Sequence, residues 1–405
     1  MKITLKNIIQ IIPRYSKNVF AIFFYKFLSF FYTNKEKFRN AWIICERGIE
    51  AQDNGYMLFK YIRTHYPEKK VYYLIDFSMP DYDRVKELGN VICYNSYKHK
   101  MALFFASHFI STHVGFMMPW SYLLFKTLFR GKKNATYVML NHGVVKDDDS
   151  KKMNKRLTGL DIFVATTKPE KEWLISNRNY GLKEKDVPLT GAGRYDYFTK
   201  KQPEKQIVFL PTWRKYLIER NIEQKNNYDL VKDFEKTTYF KAIFEFLNNK
   251  RVHLLLQENN ARLIFRPHPE AQRMCSLLTH LPCNIIIANN DNTLLLDLLQ
   301  ESAMLITDYS SVAFDFAYMK KPLIYYQFDH QEFLDKHYAK GYFDYDQDGF
   351  GTVVNEEDQL INEIERIIAN DFSMEELYMN RVDNTFLFHD NKNCERIYNA
   401  IINYR

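Results

Sequence analysis

Two histidines in this chain of 405 residues each stand directly behind an apolar run, His142 in "TYVMLNHGVV" and His268 in "ARLIFRPHPE". An imidazole titrates near neutral pH, so at such a place it can take or give a proton. His142 is followed by Gly143, which lets a ligand come close to the backbone, and then by Lys146, Asp147, Asp148 and Asp149. His268 lies between Pro267 and Pro269, which restrict the backbone on both sides. It is two residues after Arg266, whose planar fork suits phosphate oxygens. Either motif alone also reads as ordinary structure: a histidine closing a strand, or a rigid proline loop.

A third stretch, "LITDYSSVAFDFAYMKKPLIYY" (305–326), changes character three times. A strand ending at Asp308 and a helix opening near Ser310 or Ser311 would present free backbone N–H groups and the positive end of a helix dipole. With two hydroxyls added, that is an anion site, most naturally for a phosphate. Serine is also a favoured helix cap. One serine suffices for a cap, and the second is what favours phosphate.

These residues need strands to carry them. "WIICE" (42–46), "VYYLID" (71–76), "VICYN" (91–95), "HFISTH" (108–113), "TYVMLNH" (136–142), "IFVAT" (162–166) and "VPLTG" (187–191) have the apolar content of strands buried on both faces. "DNGYMLFKYIRTHYPEKK" between the first two has the length of a crossover helix. After a Lys-rich connection at 199–206 the rhythm restarts with "IVFLPTW" (207–213), "ARLIFRPHP" (261–269), "NIIIANN" (284–290), "AMLITD" (303–308) and "PLIYY" (322–326). The expectation is an α/β protein with two parallel-sheet domains, 41–200 and 201–372, facing a cleft. A basic aromatic segment (1–40) would precede them and C-terminal helices (373–405) follow. Ligands of such sheets bind beyond the carboxyl ends of the strands, where the motifs lie.

Composition excludes several classes. With 46% hydrophobic and 26% charged residues the chain is globular rather than disordered. Its five cysteines, Cys45, Cys93, Cys275, Cys283 and Cys394, form no C-x-x-C pair, which argues against a disulfide framework or a zinc site and for a reducing cytoplasm. Residues 1–40 hold eight cations and one acid, an excess equal to the formal +7 of the whole chain. Among those cations runs "VFAIFFYKFLSFFY" (19–32), too short and too interrupted by Lys26 to span a bilayer. A segment of this kind suits the headgroups of an anionic cytoplasmic leaflet, with Lys17, Phe23, Phe24 and Lys26 as contacts. The alternative is a helix docked on the protein by its Phe face. "GFMMPWSYLLFKTLFRGKK" (115–133), with Trp120, is assigned the same membrane-contact role, against the alternative of a helix covering the sheet edge. No basic stripe or nucleic-acid motif lies outside the N-terminal segment.

Taken together, "CERGIEAQDNGYMLFKYIRTHYPEKKVYYLID", "NHGVVKDD", "LTGAGRYD", "PTWR", "FRPHPE", "LITDYSSVAFDFAYMKKPLIYY" and "GYFDYDQDGFG" resemble, in order and spacing over roughly residues 40–355, the CDP-glycerol glycerophosphotransferases, the teichoic-acid primases and polymerases. The resemblance implies a GT-B-like fold, peripheral attachment to the cytoplasmic face of the membrane, and transfer of an alditol phosphate from a CDP donor to a hydroxyl of a lipid-linked acceptor, releasing CMP. It implies His142 as general base and His268 as its catalytic partner. It also implies a donor side of Arg266, Asp308, Ser310, Ser311, Thr212 and Arg214, and an acceptor side of Gly143, Lys146 and Asp147. No metal is obligatory in such an array, although Asp147–Asp149 could recruit Mg²⁺. The sequence departs from the family around His142, where Asn141 replaces a tryptophan and "VVKDDD" a proline-containing run. Acceptor, alditol and the choice between primase and polymerase are therefore open, as is oligomeric state, and a capsule-like polymer competes with wall teichoic acid. A nucleotide-sugar glycosyltransferase or epimerase, and a non-catalytic binder of lipid-linked glycans, are the competing readings.

Overall fold

The computed structural model describes residues 5–129, 135–199, 202–220, 228–288, 294–336 and 339–404; for residues 5–15 it describes the backbone only. The chain packs as two units, Met1–Val144 with Asp149–Tyr197 and Asp390–Arg405, and Val145–Asp148 with Phe198–His389. The expected boundary at 200/201 lies outside the described residues.

The first unit is built on β1 (Trp42–Cys45), β2 (Val71–Ile75), β3 (Val91–Cys93), β4 (His108–Ser111), β5 (Thr136–Met139) and β6 (Ile162–Phe163), ordered β3-β2-β1-β4-β5-β6. Every pairing is parallel. β1, buried at all four positions, contributes Trp42 and Ile44 to a core shared with Leu58, Phe59 and Ile62 of the Asn54–His65 helix. That helix begins where the Asp53 carboxylate accepts from Asn54 N at 2.7 Å. Just beyond β1, Glu46 accepts from the amides of Gln52, Asp53 and Tyr56 at 3.0, 3.0 and 2.8 Å. Burial raises the pKa of Glu46, against the pull of those three amides.

The second unit holds β7 (Glu204–Leu210), an antiparallel hairpin of β8 (Ile218–Arg220) and β9 (Tyr228–Leu230), then β10 (Arg262–Phe265), β11 (Ile285–Ile287), β12 (Ser302–Thr307), β13 (Leu323–Tyr326) and β14 (Thr352–Val354). Its main sheet is parallel and ordered β11-β10-β7-β12-β13-β14. Phe209, Phe265, Ile306 and Ile324 pack there against Phe246, Leu256 and Ile364 from three helices. Both sheets thus have the doubly wound order, in which the first strand lies between two crossovers of opposite direction. The switch point, where a ligand is received, falls between β1 and β4 in one unit and between β7 and β12 in the other.

Several expectations are corrected. "VPLTG" forms only a single bridge, Ala165 to Leu189, because Thr190 and Gly191 leave no apolar run to extend it. The hairpin and β14 were not expected, and the last two residues of "NIIIANN" lie outside the described residues. Residues 373–405 do not act as one piece: Glu376–Thr385 belongs to the second unit and Asn393–Ile402 to the first. There the Asp196 carboxylate accepts from the amides of Asn393 and Cys394 at 2.8 and 2.7 Å, and Ile397, Tyr398 and Ile401 enter the core. Trp120 is not a membrane contact. It is buried, with Tyr25, Phe104 and Phe125 at ring distances of 5.8–5.9 Å. Arg130, Lys132 and Lys133 of the same segment lie outside the described residues.

Candidate functional site

In the first unit the carboxyl edge of β1, β4 and β5 gathers the chemistry. The ladder pairs Cys45 with Ser111 and Ser111 with Met139, so Glu46, Thr112, His113, Asn141 and His142 follow from neighbouring strand ends. Asn141 takes a left-handed backbone, φ +61°, which short polar side chains tolerate. Its Oδ1 accepts from the amide of His142 at 3.0 Å. The carbonyls of Asn141 and His142 accept from Asn54 Nδ2 and from Arg194, each at 2.8 Å. Arg194 is itself fixed by Asp53 at 2.7 Å. The loop that presents His142 is therefore held by the Asn54–His65 helix and by the "GAGRYD" segment.

The His142 ring is exposed, and its Nδ1 lies 3.4 Å from the carbonyl oxygen of Thr112. A carbonyl can only accept, so Nδ1 is the donor in this contact, and in the neutral ring Nε2 holds the lone pair. The His142 ring stacks on that of His113, with centroids 4.2 Å apart and planes at 10°. His113 was missed in the sequence because "HFISTH" reads as a strand; the signal was that two neighbouring strands both end in histidine. Gly143 follows half-buried. Lys146 and Asp147 belong to the second unit, where the buried Lys146 ammonium is paired with the Asp147 carboxylate at 2.8 Å and lies 5.5 Å from the Tyr345 ring. Among the described residues no three His, Cys, Asp or Glu side chains converge as a metal site.

In the second unit β10, β7 and β12 are adjacent, and their ends deliver "RPHP", "PTWR" and "DYSS" to one edge. Phe265 pairs with Phe209 and Leu210 with Thr307. The His268 ring stacks on Trp213, centroids 5.7 Å apart, and its Nδ1 accepts from Glu270 N at 3.3 Å. The proton therefore sits on Nε2, the reverse of His142. The Arg266 guanidinium is buried, which lowers its pKa to about 10 and leaves it cationic at neutral pH. The Thr212 hydroxyl is buried without a hydrogen-bond partner among the described residues. Ser310 Oγ accepts from Val312 N at 3.3 Å, the capping role, whereas the Ser311 side chain makes no cap bond. The Val312–Tyr318 helix has only seven residues, so its dipole adds little.

Arg214 and Asp308, expected on the donor, are corrected: both side chains are fully buried. Arg214 forms a fork with Asp329 at 2.7 Å on both arms and meets Asp308 at 2.9 Å. The rings of Tyr239, Tyr309, Phe328 and Phe333 surround its guanidinium at 4.8–5.7 Å. Asp308 Oδ1 accepts from the amides of Thr212 and Tyr309 at 2.8 and 2.6 Å. The pair ties the end of β7 to the end of β12. A cation and an acid four strands' motifs apart in sequence look alike whether they bind a ligand or each other.

A family model described as CDP-Glycerol:Poly(glycerophosphate) glycerophosphotransferase matches residues 27–403. The Minor teichoic acid biosynthesis protein GgaB of Bacillus subtilis (strain 168) is 34% identical over 362 residues, 89% of this chain and 39% of that protein. The Teichoic acid ribitol-phosphate polymerase TarL of Staphylococcus aureus (strain NCTC 8325 / PS 47) is 26% identical over 235 residues, 54% of this chain and 37% of that protein. The match thus spans well under half the length of either relative. Among solved structures, a variant of the wall teichoic acid polymerase TagF aligns over 98% of both chains with TM-score 0.67 at 17% identity. A UDP-GlcNAc 2-epimerase from Neisseria meningitidis aligns over 89% of this chain and 99% of its own with TM-score 0.53 at 11% identity. These two likenesses establish the two-domain GT-B-like fold.

Proposed function

Because this chain belongs to the CDP-glycerol:poly(glycerophosphate) glycerophosphotransferase family, we propose that it transfers glycerol phosphate, or a related alditol phosphate, from a CDP-activated donor to a hydroxyl of a lipid-linked glycan or polyol-phosphate acceptor, in teichoic-acid or capsule-like polymer synthesis. In the reaction the acceptor oxygen attacks the phosphorus of the alditol phosphate and its proton passes to Nε2 of His142. The bond from that phosphorus to the bridging oxygen breaks, and CMP leaves with the electron pair. His268, donating through Nε2–H, and Arg266 oppose the charge growing on the leaving phosphate. Thr212, Ser310 and Ser311 supply hydroxyls to the donor oxygens, and Gly143 leaves room for the acceptor.

The observation that carries this reading is the opposed surroundings of the two imidazoles: Nδ1 of His142 meets a carbonyl, and Nδ1 of His268 meets an amide. One ring is left able to accept a proton and the other to donate a hydrogen bond, as a base and a group that opposes charge on the leaving phosphate require. The test is incubation of the 405-residue chain with CDP-glycerol or CDP-ribitol and a synthetic lipid-linked acceptor, following CMP and product mass. His142→Ala and His268→Ala should each lower turnover about 10²- to 10⁴-fold with the fold retained. Release of UMP or UDP from a nucleotide sugar, with no CMP from either CDP donor, would favour a glycosyltransferase instead.

The same reading places the chain at the cytoplasmic face of an anionic membrane. The Leu5–Phe30 helix docks through the buried Ile22, through Asn18 Oδ1 accepting from Ser121 N at 2.7 Å, and through Tyr25 near Tyr97. Phe20, Phe23, Phe24, Phe27, Phe30 and Phe31 are left 46–72% exposed, with Lys17 also in solvent. The Lys26 ammonium lies over the rings of Phe30 and Phe104 at 5.3 and 5.4 Å, so it also serves the docked helix. Among the described residues no helix is long and apolar enough to cross a membrane. An exposed aromatic row beside cations suits insertion into headgroups.

A further inference from the structure

His113 is the neighbour of His142 that the reaction above does not use. β4 and β5 pair through Ser111 and Met139, so the two rings emerge two and three residues past one rung of the ladder. The backbone of His113 is fastened by Ser111, whose Oγ donates to the His113 carbonyl at 2.8 Å and lies 3.2 Å from its amide. The ring is fastened as well: Nδ1 meets the Thr112 hydroxyl at 2.9 Å, and the Phe116 ring stands edge-on at 5.5 Å. Burial, helped by the neighbouring His142 and Arg47, pushes its pKa down to about 3, so the ring is neutral at any physiological pH. A fixed, flat, uncharged surface therefore lies under an exposed histidine that would otherwise sample several rotamers.

We propose that His113 is a positioning residue for His142: by stacking it holds the His142 ring in the one orientation that keeps Nδ1 on the Thr112 carbonyl and turns Nε2 outward as proton acceptor. The inference rests on His142 being the base. When His142 takes its proton, the neutral partner adds no like charge beneath the new imidazolium, which a second charged histidine would.

The test compares His113→Ala, which removes the platform, with His113→Phe, which keeps a flat ring and cannot titrate. His113→Ala should lower kcat about 10- to 100-fold, as a misplaced base does, with KM for CDP-glycerol changed by less than about twofold. His113→Phe should recover most of that loss. Unchanged kcat in His113→Ala, or equal losses in both variants at matched thermal stability, would overturn the proposal. A second measurement does not depend on turnover: ¹⁵N-detected tautomer analysis of the His142 ring in the intact chain. The parent and His113→Phe should show the Nδ1–H form and His113→Ala a mixture of both. An unchanged Nδ1–H form in His113→Ala would refute the platform. Full turnover in His142→Ala would refute the base assignment instead, and the tautomer result would still decide whether His113 orients the ring.

Discussion

At Asn141 the chain turns through φ +61° while the side chain holds the amide of the next residue, and Asn54 and Arg194 hold the carbonyls of Asn141 and His142. The departure from the family noted in the sequence is thus a structural device: asparagine tolerates this backbone and supplies an acceptor for it. Asn141→Ala loses both and should cost about 1–3 kcal/mol of stability by chemical unfolding. Asn141→Gly keeps the backbone freedom and should cost less; a larger cost for Gly than for Ala would refute the argument. Position was legible where a motif follows an apolar run, and His142, His268 and Arg266 do stand past the carboxyl ends of β5 and β10. The role was not legible for Arg214 and Asp308, because a sequence does not show that Asp329 arrives from another loop to complete a sealed ion pair.

At the scale of elements, parallel strands buried on both faces announce themselves as apolar runs, and so β1, β4, β7, β10 and β12 were all readable. β14 ("TVV") and the small hairpin ("IER" and "YDL") have polar residues within or directly beside such short strands and carry too little pattern to be seen. Trp120 was misjudged for a related reason: an amphipathic stretch looks the same whether its apolar face meets lipid or the protein. The Leu5–Phe30 helix buries Ile22 against the protein and leaves its Phe row exposed. Replacing Phe23, Phe27 and Phe30 with Ser should reduce flotation with anionic vesicles at least about tenfold while leaving CD unchanged; undiminished flotation would refute the membrane role. A second element-scale constraint lies at Gly341, where an added methyl would run into the Lys146 carbonyl oxygen, which is backbone and cannot step aside. Gly341→Ala should destabilise the second unit by about 1–3 kcal/mol in chemical unfolding, and an unaltered midpoint would count against that packing.

Over the whole molecule, two sheets of one strand order each present a switch point, and the motifs fall at both. The units should differ in their response to acid. The first holds one buried and two half-buried histidines whose pKa values desolvation lowers, His99 to about 3, His108 to about 4 and His113 to about 3. His99 accepts from Asn95 N and donates to the Met117 carbonyl, both at 2.9 Å, bonds that only the neutral ring can make. Between pH 6.5 and about 4 the unfolded chain takes up protons that the fold refuses, so stability is lost as pH falls through this window. Each fully buried histidine contributes about 1.4 kcal/mol per pH unit there. Chemical unfolding followed by probes in each unit should show the first weakening more steeply from pH 7 to 4.5; parallel loss in both would contradict this.

The central claim is that His142 takes the proton of a hydroxyl attacking a CDP-activated alditol phosphate. Single-turnover CMP release from CDP-glycerol and CDP-ribitol, with a lipid-linked polyol acceptor, tests it most directly when parent and His142→Ala are compared at saturating donor. Acceptor-dependent CMP from at least one donor is expected, with a fall of about 10² or more in the variant. Equal rates in the two chains, with the product formed by both, would contradict it.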